Sequence, residues 1–560
     1  MEKGFTIWLT GLSGSGKSTI ARELERQFKA SGHSVEVLDG DEIRKELNYD
    51  LGFSKEDRDK NIKRIAFLSK ILSRNSVIVI AAAISPYREL RDYARNLNKN
   101  FVEVFVDCPL AECERRDTKG MYAAARRGEL KDFTGINDPY EQPLNAEVVV
   151  HTNKERVSES TGRIMDKLDT LGFIQRATGS AYGGRLVNRT VPKEEKEDTI
   201  DKAKVMPWVA IDNRIAADIE LIANGAFSPL EGFMCRADYE SVLKNARLSS
   251  GLPWAIPIVL PVSLDVAEKL EIDESIALKH DGKIIAVMEL ADKFPHNAQE
   301  HALCVYGTVD VKHPGVKALI GNVLLGGRIR LLELPKNEFR EYILTPAQVR
   351  SEFKRRGWKT VAAFQTRNAP HRAHEHLQMG ALKKVDGLFI NPVIGERKAG
   401  DTPAGVILEA YKLLIDKYYP KGMVFLSALP MAMRYAGPKE AIHHAIIRRN
   451  YGCTHFIAGR DHAGVGGYYS PFAAHDAVFA LSSELGVIPI FSKIAYYCKG
   501  CGKMLLEGEC AHGQDMAVTM SGSEIRAALL EGRDIDERII RPEIVRIMRQ
   551  SVPSPRNLVE

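Results

Sequence analysis

The chain has 560 residues and a mass of 62.3 kDa, with 44% apolar and 27% charged residues. At about 150 residues per domain this means three to four domains, and the composition excludes whole-chain disorder, collagen and coiled coil. Its 78 basic and 73 acidic residues leave a net charge of +5, too mild for a nucleic-acid binder but suited to pockets that take small anions.

Phe5–Thr10 reads as a strand, followed by a glycine-rich loop and a helix from about Lys17. Further strands are expected at Ser34–Leu38, Val77–Ala83, Phe101–Val106 and Val148–Val150, with helices near Asp57–Ser73 and Pro86–Leu97. This alternation predicts a parallel sheet covered by helices, with ligands at the carboxyl ends of the strands. Val77–Ile84 is the longest apolar run, far short of the roughly 18 to 20 residues that span a bilayer. The start MEKGFTIWLTG has no basic region, apolar stretch and cleavage site, so a cytoplasmic location without a membrane partner is expected.

Residues 174–206 read as a linker, with Gly179, Gly183, Gly184 and the charge run Lys193–Asp198. Residues 207–344 are strand-like and proline-containing, and Asp281-Gly282 signals a two-residue hairpin. Residues 345–490 alternate strands and helices again. The remainder, 491–560, holds a cysteine cluster and helical patterns near Glu524–Glu531 and Pro542–Gln550.

Gly11-Leu12-Ser13-Gly14-Ser15-Gly16-Lys17-Ser18 fits G-x-x-x-x-G-K-[ST] between a strand and a helix. Its glycines let backbone amides approach phosphates, Lys17 neutralises the β/γ charge, and the Ser18 hydroxyl suits Mg²⁺. Asp39-Gly40-Asp41 ends the second strand, where a carboxylate can accept a hydroxyl proton or hold Mg²⁺.

With Asp39–Arg44, Gly52–Asn61, Ile84–Arg88 and Phe133–Glu141, this stretch resembles adenylylsulfate (APS) kinase over residues 1–173. The resemblance implies transfer of the ATP γ-phosphate to the ribose 3′-OH of APS, giving PAPS. It assigns Asp41 as base or Mg²⁺ organiser and Lys17 and Ser85 to the reacting centre. Arg44, Arg58, Asn61, Ile84, Ser85, Lys119 and Phe133 would bind APS, Phe133 by stacking, with 117–140 as a lid. The chain departs from the family at Glu42, at Ala83 and at Ala123–Arg126. An aromatic partner absent at Ala83 is worth about 1–3 kcal/mol of stacking, which leaves a nucleotide-binding regulatory or structural role for this domain as the rival reading.

Gln365-Thr-Arg-Asn-Ala-Pro-His371-Arg-Ala-His374 follows the strand-like 360–364, and Pro370 suits a helix's first turn. Two histidines three apart then share a helical face and can donate to phosphate at the helix start, while Arg367 offers a planar fork to an anion. Gly459-Arg460-Asp461-His462-Ala463 lies at the end of another strand. Both clusters, with Ser427–Pro438, His444–Tyr451, Ser521–Arg526 and Gly225–Phe233, resemble ATP sulfurylase over about 180–555. That likeness implies a PUA-like β domain and a nucleotidyltransferase-type α/β domain, which join sulfate to AMP and release pyrophosphate. Gln365, Arg367 and the Ala463 amide would hold sulfate. His371 and His374 would stabilise the phosphates. Thr366, Asn368, Gly459, Arg460, Asp461 and His462 would complete the nucleotide site, with Mg²⁺. The order Ala369-Pro370 departs from the family's usual turn. Homo-oligomers are common among such sulfurylases, and either reaction direction uses the same site.

Cys498, Cys501, Cys510 and His512 offer three thiols and an imidazole for a structural Zn²⁺, with a redox Cys-x-x-Cys as the alternative. The expectation for the whole chain is a multidomain α/β enzyme carrying both steps of sulfate activation, with ATP, sulfate, APS and pyrophosphate as its small-molecule partners.

Overall fold

The computed structural model describes all residues except 1–3, 31–32, 48–50, 53, 118–119, 131–132, 175–179, 399–400, 493, 521 and 551–560. It divides into two compact units, Met1–Arg176 and Ala177–Glu560.

In the first unit, strands β1 (Thr6–Thr10), β2 (Val35–Asp39), β3 (Ile78–Ala82), β4 (Phe101–Asp107) and β5 (Val148–His151) form a fully parallel sheet in the order β2-β3-β1-β4-β5. Strand residues alternate between two apolar layers because successive side chains point to opposite faces. Ile7, Leu9, Ile80 and Val104 pack with Ile20, Leu24 and Leu168. Trp8, Val79 and Ala81 pack with Ile62, Ile65 and Leu90 on the other face. Both faces being buried accounts for the near-continuous apolar runs. The expected strands and helices appear within a few residues, with helices at Lys17–Ala30, Lys55–Arg74 and Arg88–Leu97. The Ser54 side chain caps the second of these by accepting from the Asp57 amide.

The second unit opens with a mixed sheet of β6 (Trp208–Ala210), β7 (Gly232–Phe233), β8 (Leu260–Val262), β9 (Ser275–His280), β10 (Lys283–Pro295) and β11 (Val323–Leu331). β9 and β10 pair antiparallel across Asp281 and Gly282, whose φ of 48° and 76° give the two left-handed residues that the hairpin requires. A second parallel sheet follows: β12 (Val361–Phe364), β13 (Gly387–Ile390), β14 (Val424–Leu426), β15 (His455–Ala458) and β16 (Ile488–Phe491), in the order β14-β13-β12-β15-β16. This strand order, which reverses between β12 and β15, places the crevice for ligands beyond the carboxyl ends of those two strands. A three-stranded antiparallel ribbon, β17 (Ala495–Cys498), β18 (Lys503–Leu506) and β19 (Ala517–Val518), packs against the helix Arg372–Leu382.

Residues 180–206 differ from the expected linker. Tyr182 is buried and donates from its hydroxyl to the Pro253 carbonyl at 2.6 Å. The Val191 amide bonds the Leu331 carbonyl at 2.9 Å, and Lys196–Ala203 is helical. The charge run forms the outer face of that helix, so polarity marked exposure and not absence of structure. One apolar core, from Tyr182 to Val487, also runs through both the β-rich part and the second parallel sheet. Asn450 stitches the two, donating to the carbonyls of Ala226 and Ser228 at 3.0 Å each.

Candidate active sites

The first site forms where β1 turns into the helix Lys17–Ala30. Gly11, Gly14 and Gly16 take φ of 154°, 70° and 99°. A Cβ on Gly11 would lie 2.5 Å from the Val106 carbonyl oxygen, so only glycine fits there. Lys17 Nζ folds back over the loop onto the carbonyls of Gly11 (3.0 Å) and Leu12 (2.7 Å). Ser15 lies fully buried with its hydroxyl unpartnered, and its carbonyl accepts from Thr152 Oγ1 at 2.7 Å. The Tyr122 hydroxyl donates to the Ser13 carbonyl at 2.9 Å, and the Phe133 ring meets Tyr122 edge-on at 5.0 Å.

Ser18 Oγ donates to Asp39 Oδ2 at 2.7 Å. Asp39 also accepts the Asp41 amide through Oδ1 at 3.0 Å, capping the short helix Gly40–Glu46. The carboxylate beside Ser18 is therefore Asp39, which the sequence reading did not single out, while Asp41 is exposed in the first turn. Nothing in the motif separates the two aspartates; only the turn from β2 into the helix does.

Arg58 and Asn61 lie buried three apart on one helix, as their spacing predicts. Arg58 is already engaged, donating to Thr134 Oγ1 at 3.0 Å and Asp138 Oδ2 at 2.6 Å. Arg44 donates to the Gly52 carbonyl, and burial lowers its pKa from the usual arginine value. Ser85 has a φ of 45° and is buried, its Oγ accepting from Trp8 Nε1 at 3.1 Å, and the preceding Ile84 carbonyl accepts from Thr10 Oγ1 at 2.7 Å. Lys119 falls outside the described residues.

The second site forms where β12 and β15 end. The expected helix starts at Arg372, two residues after Pro370, which lies outside its first turn, and His371 is the N-cap. His371 Nδ1 accepts from the His374 amide at 3.4 Å. This leaves the proton of the neutral ring on Nε2 as a donor. The pair thus shares a cap, not a helical face, and the rings stack at 3.7 Å and 21°. Histidine takes the role that Ser, Thr, Asp or Asn usually fills, and so the cap was not legible. Burial pushes His371 down to about 4 and His374 well below the ordinary imidazole value, with His371 adding repulsion on His374. Both rings are neutral at pH 7, and His374 Nδ1 is buried without a partner.

Arg367 joins the two clusters. Its Nη2 donates to the Gly464 carbonyl at 2.9 Å, its guanidinium lies 5.1 Å over the Tyr435 ring, and its Nη1 is buried without a partner. Thr366 Oγ1 closes the turn by accepting the Asn368 amide at 3.1 Å. Tyr435, Asp461 and Ala463 all have positive φ (58°, 51° and 56°), an uncommon concentration of left-handed non-glycine residues at one site. A Cβ on Gly464 would fall 1.9 Å from Asp461 Oδ1, so a side chain there would displace the Asp461 carboxylate.

His462, expected in the nucleotide site, is turned the other way. Its Nε2 pairs with His444 Nδ1 at 3.0 Å in the buried helix Pro438–Asn450, and burial lowers its pKa to about 3. His444 in turn lies 3.6 Å from Glu440. Gln365 is half-buried, whereas Asn368, Arg460 and Asp461 are exposed at the rim, beside Gly459.

Residues 3–151 match the adenylylsulphate kinase family, 180–334 the PUA-like domain and 340–551 the ATP-sulfurylase family. The probable bifunctional SAT/APS kinase 2 of Sorangium cellulosum is 45% identical over 577 residues, covering 98% of this chain and 99% of that one. The chain belongs to the bifunctional sulfate adenylyltransferase/APS kinase family. A sulfate adenylyltransferase from Symbiobacterium thermophilum is 46% identical over 375 residues, 66% of this chain and 95% of that one. Among solved structures, the hexameric APS kinase from Thiobacillus denitrificans aligns with a TM-score of 0.55 at 27% identity, covering 67% of this chain and 68% of that one.

Beyond the two active sites of this bifunctional chain, the ligand atoms of Cys498, Cys501, Cys510 and His512 all lie within 4.8 Å of one another. His512 Nδ1 is 3.5 Å from Cys498 Sγ and 3.4 Å from Cys501 Sγ, and Cys510 Sγ is 3.9 Å from Cys498 Sγ. The Tyr496 hydroxyl, 3.3 Å from Cys510, leads the interactions that lower that thiol to about 6. A Cβ on Gly500 would lie 2.7 Å from His512 Nε2, so a side chain there would push the imidazole out of the cluster. Three sulfurs and one imidazole nitrogen meeting at one point fit the tetrahedral Cys₃His donor set of zinc. No helix among the described residues is long and apolar enough to cross a membrane.

Proposed function

We propose that the chain activates sulfate in two steps, the second unit making APS and the first unit converting it to PAPS. The observation carrying this reading is the 45% identity to a probable bifunctional relative over 98% of this chain and 99% of that one. In the first step a sulfate oxygen attacks the α-phosphorus of ATP, the α–β P–O bond breaks, and pyrophosphate leaves. Sulfate is a weak nucleophile approaching an anion, so orientation and charge neutralisation supply most of the rate. Arg367 and Gln365 hold sulfate with the Ala463 amide, and the unpartnered Nη1 of Arg367 is the donor in waiting. The neutral His371 and His374 donate to phosphate oxygens without first losing a proton. Thr366, Asn368, Gly459, Arg460 and Asp461 line the nucleotide, while His462 supports the floor through His444.

In the second step the APS 3′-OH attacks the γ-phosphorus, ADP leaves, and Asp41 takes the hydroxyl proton. Lys17 swings from the loop carbonyls onto the β/γ-phosphates. Ser18 and Asp39, with Asp41 nearby, would hold Mg²⁺, which would supply charge neutralisation for the phosphates. Arg44, Arg58, Asn61, Ile84, Ser85 and Phe133 face APS; the buried Ser85 hydroxyl, held by Trp8, suits binding better than phosphorylation. The four-donor cluster holds a structural Zn²⁺. The working form is a homo-oligomer in the cytoplasm, for which the hexameric relative offers a precedent.

The test is a coupled assay with labelled sulfate, ATP, Mg²⁺ and pyrophosphatase. Labelled APS and PAPS are expected in sequence. Absence of both products from the metal-replete protein overturns the reading.

A further inference from the structure

We propose that Arg91 is a positioning residue for the kinase step, whose buried guanidinium locks the Ser85 loop and the base of the 133–142 segment into one geometry. The inference rests on the reading that this loop faces APS. Arg91 lies on the helix Arg88–Leu97 and is 2% exposed. Each nitrogen of its fork has a different task. Nε donates to Glu103 Oε1 at 2.9 Å, Nη1 to the Ser85 carbonyl at 2.5 Å, and Nη2 to the Glu141 carbonyl at 2.6 Å. Its plane also lies 5.8 Å from the Tyr140 ring.

The anchor of this fork is the sheet itself, since Glu103 lies on β4. Glu103 also accepts from Arg95 at 3.1 Å, and Arg95 pairs with Glu147 at 2.6 Å. Glu147 then accepts the Glu103 amide at 2.7 Å, closing the circuit. Other bonds join the same two segments: the Tyr87 hydroxyl donates to Asp138 Oδ1 (3.0 Å) and Oδ2 (3.1 Å), the Arg88 amide to Glu141 Oε2 (2.8 Å), Arg88 Nε to the Gln142 carbonyl (2.9 Å), and the Glu141 amide to the Pro86 carbonyl (2.9 Å). Arg91 differs from them in binding the Ser85 carbonyl itself and in tying it to β4. Thr10, at the end of β1, donates to the Ile84 carbonyl and pairs with the Tyr140 hydroxyl at 2.9 Å. The same network therefore spans the entry to the phosphate loop, the left-handed Ser85 and the segment carrying Phe133 and Asp138.

A carbonyl held in a fixed direction sets the backbone of its residue. With φ at 45°, Ser85 sits in a region that non-glycine residues adopt only when surroundings enforce it. Lysine carries its three N–H donors on a single nitrogen, so it cannot reproduce a fork whose three separate nitrogens each meet a different acceptor.

The test measures kcat and KM for APS and for ATP in the kinase reaction of the full chain, wild type against Arg91→Lys and Arg91→Ala. Sulfurylase activity is the internal control. The expected result is a tenfold or larger rise in KM for APS, a KM for ATP within twofold, and a smaller fall in kcat. Methylguanidinium is expected to restore part of the APS affinity of Arg91→Ala. Glu103→Gln keeps the shape and weakens one arm, so it gives a smaller shift in the same direction should Arg91→Ala fail to fold. Unchanged KM values with kcat falling only as the folded fraction falls would reduce Arg91 to packing and overturn the inference. A wild-type chain that never phosphorylates APS would instead overturn the functional reading, and this inference with it.

Discussion

The two anion sites of this chain handle the same polyphosphate in opposite ways. The first uses a contiguous loop of eight residues, mostly backbone, with the Lys17 and Ser18 side chains at its end. The second gathers side chains from the ends of β12 and β15, and its histidines are neutral, capped and stacked. The first site's residues are contiguous in sequence, although its Gly11 is forced by the Val106 carbonyl of β4 2.5 Å away. The second depends on which residues the parallel sheet brings together, such as Arg367 and Gly464 at 2.9 Å. The first site's residues can therefore be read from one stretch of chain, whereas the second's become neighbours only in the fold.

The sharpest way to break this comparison is to disable each site alone. Lys17→Ala is expected to lower kinase turnover by about 10²–10³-fold while leaving APS synthesis intact, and His374→Ala to do the reverse, in line with losing one preorganised donor. Separate assays with added APS, or with sulfate and ATP, read each half. A variant that lowers both activities equally would mean that the sites are not independent.

A smaller effect is expected at Asp39. Asp39→Asn removes the charge beside Ser18 and should raise the Mg²⁺ concentration needed for half-maximal kinase activity by about 10–100-fold, while Asp41→Asn lowers kcat without moving that midpoint. An Mg²⁺ titration at saturating APS distinguishes them; equal midpoints would remove Asp39 from the metal site.

These two predictions also mark where the sequence stops being informative. The Walker loop, the parallel sheet of the first unit and the Cys/His cluster follow from spacing, and the structure places each there. Asp39 against Asp41 is not decided by spacing, since both lie in the same three-residue turn. The inward turn of His462 is set by His444, a residue eighteen positions earlier on a fully buried helix, with no periodic signal to announce it. The supposed linker misled for a related reason: its charges cover a helix whose Ala203 is buried against Val191 and Ala277.

Removing the metal should act on one half only. The ribbon β17–β19 packs on the helix Arg372–Leu382, which His371 caps, so chelation of zinc, or Cys510→Ser, is expected to lower sulfurylase activity several-fold and its melting temperature, with kinase turnover unchanged. Metal content by elemental analysis checks that one equivalent is lost. No zinc in the native protein would restore the redox alternative for Cys498 and Cys501.

The mildest expected difference concerns acid. Burial holds His301 and His462 down to about 3 and His371 to about 4, all in the second unit. An unfolded histidine takes up its proton near 6.5. The unfolded state therefore binds more protons below that value, so stability contributed by these groups is full above about pH 6.5 and is lost as pH falls toward 4 and then 3. The first unit has two histidines, His33 and His151, and neither is buried. Calorimetry between pH 7 and 4 is expected to show the second unit's transition moving down faster than the first's; parallel movement would contradict this.

The central claim is that one chain carries both steps on separate residues. Its most direct test follows labelled sulfate through wild type, Lys17→Ala and His374→Ala side by side with ATP, Mg²⁺ and pyrophosphatase. Wild type should yield PAPS, Lys17→Ala should stop at APS, and His374→Ala should yield neither yet still phosphorylate added APS. PAPS formed from sulfate by Lys17→Ala at the wild-type rate would contradict the account.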